Sequence, residues 1–116
     1  MILHSVALRF RPEVTDEAIE QLAIAVDSLK DRVPGAISLV QGRDLAWRDG
    51  NADYAIVAVL DMDDPRDFFH HPAHLAVATE HVAPRVESLS SVQFPLAPGP
   101  AREVIGAIGD PRGAGR

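Results

Sequence analysis

The stretch "DYAIVAVLD" at residues 53–61 sets the tightest condition on this chain. From Tyr54 to Leu60 the side chains are apolar without a break. Successive side chains of a strand point to opposite faces, so such a strand is apolar on both and needs cover on both. The fold must therefore coat one sheet twice.

The neighbouring segments supply one coat. "ILHSVALRF" at 2–10 alternates as a strand, with Ile2, His4, Val6, Leu8 and Phe10 on its richer face. Thr15 reads as an N-cap, followed by Asp16 and Glu17 where the helix dipole favours negative charge. Ile19, Leu22, Val26, Leu29 and Val33 then form one helical stripe over residues 15–32, stopped by Pro34–Gly35. Residues 36–47 read as a second strand, and Asp49–Gly50 as a hairpin turn into the apolar strand. Gly42 suggests a bulge or a close backbone approach, and Arg43 suggests pairing with a carboxylate on a neighbouring strand.

Asp64–Pro65 and His71–Pro72 are two helix starts in quick succession. They predict a short helix and then a longer one, with Leu75, Ala78, Val82, Val86 and Leu89 as its stripe and Pro84 as a kink or early stop. "SSVQF" at 90–94 completes the strands. The order β-α-β-β-α-β is the ferredoxin-like α+β arrangement, a four-stranded antiparallel sheet with its helices on one face. The second coat is then a second copy of the sheet, which predicts a homodimer forming a dimeric α/β barrel. Residues 96–116 form a Pro/Gly-rich tail after a domain of residues 1–95. Within it only "VIGAI" looks suited to packing. It reads as a mobile arm or as an arm crossing to a partner subunit.

The chain has 116 residues and a net charge of −6, with no basic stripe, which speaks against nucleic acid as a partner. It has no cysteine, which removes disulfides, thiolate chemistry and cysteine-held metals. No apolar run approaches the ~18 residues of a membrane span. The opening "MILHSVALRFRPE" lacks the pattern of a signal peptide, so a cytoplasmic location is expected. No glycine-rich phosphate loop is present, and no cofactor is implied.

Four of the five histidines fall in "FFHHPAHLAVATEH" at 68–81. His70 and His74 have the spacing of a helical zinc pair, but Pro72 interrupts the helix this requires, and no H-E-x-x-H pattern exists. No metal site is therefore expected. His71 reads as a cap, and His70 and His81 as surface residues. His74 falls in a helix's first turn, where the local field favours a neutral imidazole, able to act as a base near pH 7. His4 lies on a buried strand face and needs a hydrogen-bond partner, which His74 or a ligand would supply. Three readings stay open for His4 and His74: a structural hydrogen bond, a ligand pocket without catalysis, and acid/base catalysis. Phe68 and Phe69 read as core and pocket wall, and Tyr54 as rim packing or as a hydroxyl turned to the pocket.

Three features in this order resemble the stress-responsive A/B barrel domain (Dabb) family. They are "ILHSVALRFRPEVTDEAIE", "QGRD" at 41–44, and "HPAHLAV" at 71–77 preceded by Phe68. The resemblance spans residues 2–95 and implies a dimeric α+β barrel. It also implies a likeness to polyketide cyclases, which run an intramolecular aldol-type condensation without metal or organic cofactor. By position, His4 and His74 take the place of their catalytic histidines. The sequence departs from that pattern at Ala55, where the cyclases carry a histidine, and at Val26 and Phe68, where they carry tyrosines. The expected ligand is a small hydrophobic compound held near Phe68, Phe69, Tyr54, Val26 and Ala55. A non-catalytic stress or ligand-binding protein is the alternative, and a cofactor-free monooxygenase a further one.

Overall fold

The computed structural model describes residues 1–108. The strands are β1 (Ile2–Phe10), β2 (Ala36–Arg43), β3 (Tyr54–Leu60) and β4 (Val86–Pro95). The helices are α1 (Asp16–Asp27), α2 (Leu29–Arg32), α3 (Arg66–Phe69), α4 (Pro72–Val77) and α5 (Pro98–Ile108), with a π-helical turn at Ala78–Val82. The sheet is antiparallel in the order β2-β3-β1-β4, so the apolar strand β3 is central.

The register of β1 on β3 sets Ile2, His4, Val6 and Leu8 against Leu60, Ala58, Ile56 and Tyr54. These residues make the inner face, onto which α1 and α2 pack. Thr15 Oγ1 accepts the Ala18 amide at 3.1 Å, as its sequence position requires. The stripe Ile19, Leu22, Val26, Leu29 and Val33 is buried throughout. The helix pauses once, at Ser28, whose hydroxyl donates to the Ala25 carbonyl at 2.6 Å.

The connection from β2 to β3 is longer than a tight hairpin. β2 ends at Arg43 rather than at residue 47. Just after it, the Asp44 carboxylate accepts from the Ala46 amide and the Asn51 side chain, which turns the chain away from the ladder. Gly50 takes φ +83 in that loop. Gly42 makes no bulge; it pairs regularly with Ala55, and the irregularity lies between Ala36 and Ser38. Arg43 pairs across to Asp16 at the start of α1, not with a neighbouring strand.

The expected long second helix is also revised. Its α-helical part ends at Val77, and an Ala83 N–H to Ala78 C=O bond of 2.8 Å closes the π turn ahead of Pro84. Val86 and Leu89 belong to β4, and Leu75 is 49% exposed, so the buried helix positions are Ala73 and Val77. Proline stopped the helix early, and the freed residues extended the last strand.

The tail is helical from Pro98. Pro98 and Pro100 both lie in the first turn of α5, where a missing N–H breaks no intrahelical bond. Its fully buried residue is Ala101, outside "VIGAI", and α5 packs against β2. Ser38 and Val59, partners in the ladder, are buried on the outer face. With α1 and α2 on the inner face, α5 is the element left to cover them. The rest of the outer face keeps Val40, Val92 and Phe94 exposed. Residues 109–116 of the expected arm lie outside the described part.

Candidate active site

The break in the histidine-rich stretch builds the site. His71 caps α4, its Nδ1 accepting the Ala73 amide at 3.1 Å, and Pro72 takes the first helical position. α3 has just ended, and the last carbonyls of a helix lack intrahelical partners. The Phe69 carbonyl is one of these, and His74 Nδ1 donates to it at 3.1 Å. A carbonyl only accepts, so neutral His74 carries its proton on Nδ1 and keeps a lone pair on Nε2.

His4 stands on β1, 6% exposed. Its Nδ1 lies 2.9 Å from the Gln93 amide nitrogen on β4, the residue directly opposite in the ladder. No hydrogen bond joins His4 to His74 among the described residues. What joins them is aromatic contact. Phe68 lies 5.9 Å from the His4 ring and 4.8 Å from the His74 ring, centre to centre. Phe69 lies 5.0 and 5.5 Å from the same two rings, edge to face in both cases.

Burial, then the proximity of His74, pushes the His4 pKa down to about 4. Burial also lowers that of His74, opposed by the bond to Phe69. The cause is thus loss of water rather than the helix terminus inferred from its position. Both rings are neutral at pH 7.

A cavity of about 240 Å³ lies between the sheet and α1–α4 and touches both histidines. Val26, Phe68 and Phe69 line it. Tyr54 and Ala55 do not. Tyr54 faces inward but is tied down beyond the cavity, its hydroxyl donating to Gln41 Oε1 at 2.8 Å. Ala55 pairs with Ala7 and points to the outer face, so β3 contributes Ile56 and Ala58 instead. The one-residue difference reverses the face because strand side chains alternate.

Of the other histidines, His70 is exposed and His81 sits 3.0 Å from an Arg85 nitrogen. Asp64 pairs with Arg66 and accepts its backbone amide. Among the described residues no three His, Asp or Glu side chains are grouped to hold a metal ion, and no helix is long and apolar enough to cross a membrane. Gln93 was not foreseen. Its only sequence signal is its place on the last strand, and that acquires meaning once the register against His4 is known.

The fold and cavity define a ferredoxin-like α+β domain with two neutral histidines facing an apolar chamber. Residues 2–96 match the stress responsive A/B barrel domain model, Dabb, and the chain belongs to that family. Among solved structures, a dimeric ferredoxin-like protein of unknown function from Thermobifida fusca is 34% identical, over 82% of this chain and 90% of that one, with a TM-score of 0.73. The hydroxynitrile lyase of Passiflora edulis is 20% identical over 84% and 94% of the two chains, with a TM-score of 0.72. A Dabb family protein from Mesorhizobium loti is 16% identical over 83% and 97%, with a TM-score of 0.66. No curated protein matches the sequence.

Proposed function

We propose that this chain is a cytoplasmic homodimer that carries out cofactor-free acid/base chemistry, polyketide cyclase-like, on a small hydrophobic carbonyl compound. The observation that carries this reading is one cavity touching two neutral imidazoles, neither of whose Nε2 atoms has a partner among the described residues. His74 Nε2 takes a proton from the carbon beside the carbonyl. The C–H electron pair becomes the C=C bond of the enolate, the carbonyl π pair moves to the oxygen, and His4 steadies that oxyanion. The exposed Val40, Val92 and Phe94 on the outer face support the dimer, as do relatives described as dimeric.

The test uses acetophenone in D2O. The wild-type protein is expected to speed exchange of its methyl protons, followed by NMR, and His74→Ala to lose ~10²–10⁴-fold of that rate, the range typical of a positioned general base. Absence of exchange with the wild type, or an unchanged rate in the variant, counts against catalysis. The largely apolar wall favours a second reading, a ligand-binding protein without turnover. Acetophenone binding without exchange would select it. A stable monomer by light scattering at micromolar concentration would overturn the dimer.

A further inference from the structure

We infer that Gln93 is a positioning residue that fixes which nitrogen of His4 carries the proton, making His4 the donor and His74 the acceptor of the pair. The assignment of roles rests on the acid/base reading above; the position of the proton does not.

A neutral imidazole has one donor nitrogen and one acceptor nitrogen, and the bond made by one decides the state of the other. For His74 the choice is forced by the Phe69 carbonyl, which leaves Nε2 a bare acceptor. No carbonyl bonds the His4 ring among the described residues. Its two neighbours across the ladder are Ala58 on β3 and Gln93 on β4. Ala58 offers no polar side chain, so Gln93 is the neighbour that bonds the ring, and it does so with its Nε2 turned to His4 rather than its Oε1. The Gln93 amide N–H donates to His4 Nδ1 at 2.9 Å. Nδ1 is then the acceptor, and Nε2 carries the hydrogen.

The two rings consequently show the cavity opposite characters, an N–H from His4 and a lone pair from His74. Two lone pairs would repel a carbonyl oxygen, and two N–H groups could not take a proton. The pair suits a molecule with an oxygen that must accept and a nearby C–H that must be released. Directly opposed residues on antiparallel strands are held close by the ladder itself. Gln93 is therefore placed by backbone register rather than by a flexible loop.

The test requires no ligand. In histidine labelled with 15N, two-bond 1H–15N correlations at pH 7.5 report which nitrogen of each ring is protonated. The wild type is expected to show His4 with Nε2–H and His74 with Nδ1–H. Gln93→Glu places a carboxylate that only accepts, and His4 is expected to switch to Nδ1–H. Gln93→Leu should leave His4 as a mixture, with His74 unchanged as the internal sign of an intact site. His4 found as Nδ1–H in the wild type overturns the inference, and this needs no variant to fold. An unaltered Nε2–H form in Gln93→Leu overturns it equally. Failure of acetophenone exchange with these tautomers intact would count against catalysis and leave the role of Gln93 standing.

Discussion

The inner face of the sheet holds two buried polar rings, each tied to a glutamine on an adjacent strand. At one end Tyr54 donates to Gln41, and the Gln41 amide donates onward to the Ala23 carbonyl of α1. At the other, His4 meets Gln93, with a cavity alongside. The first chain of bonds runs from strand to strand to helix and closes. The second stops at an imidazole nitrogen that faces open space. A polar ring in a core is thus stabilising or reactive according to whether its last hydrogen-bonding position is filled.

The largest expected effect strikes the open end. Phe68 is buried and touches both imidazoles. Phe68→Ala should cost roughly 3–5 kcal/mol in urea unfolding, the usual range for deleting a core aromatic. A loss below ~1 kcal/mol would mean that the site is looser than the closed end. The next effect is in pH. His4 titrates near 4 when folded and near its ordinary value of 6.5 when unfolded. Below 6.5 the unfolded chain binds the extra proton, so stability falls as pH drops from about 6.5 to about 4 and is flat above. The loss is on the order of 3 kcal/mol. His4→Phe should reduce that slope, leaving the part that the lowered pKa of His74 contributes in the same direction, and an unchanged slope would assign it to other groups.

Tyr54→Phe tests the closed end. It leaves Gln41 Oε1 without its donor and should cost about 1–2 kcal/mol in thermal unfolding, with acetophenone exchange unchanged. A change in exchange would mean that the two ends are coupled. The smallest effect concerns Ser38, 2% exposed, whose hydroxyl has no partner among the described residues. It is neither tied nor open. Ser38→Ala should be neutral or stabilising by up to ~1 kcal/mol, measured by the same unfolding. A clear loss would reveal a partner for that hydroxyl.

Legibility in the sequence followed the range of the interactions. The alternation of β1, the stripe of α1 and the caps at Thr15 and His71 are local, and each was readable. The break at Pro72 was readable too, and with it the separation of His74 from His70. The length of β4 was not, because a proline tells where a helix must stop but not how much strand reclaims. Nor was the helix at Pro98, since prolines that break a helix interior are harmless in its first turn. Ala55, the position to which the resemblance points, lies on the outer face because side chains alternate along β3, and this strand gives the cavity Ile56 and Ala58 instead. His4 was seen to need a partner, but the choice of Gln93 over His74 depends on register between strands nearly ninety residues apart in sequence.

The π turn at Ala78–Val82 carries a consequence for how such a chamber changes over descent. A π turn is in effect one residue inserted into an α-helix, and Ala78 and Val82 both line the cavity. Losing a single residue there would restore α-helical winding at the turn itself, moving Ala78 and Val82 while the segments on either side keep their register. The caps, the break at Pro72 and His74 all lie upstream and would stay in place. One short deletion can thus change the part of the chamber wall that Ala78 and Val82 form while the strands and α4 hold both histidines in place.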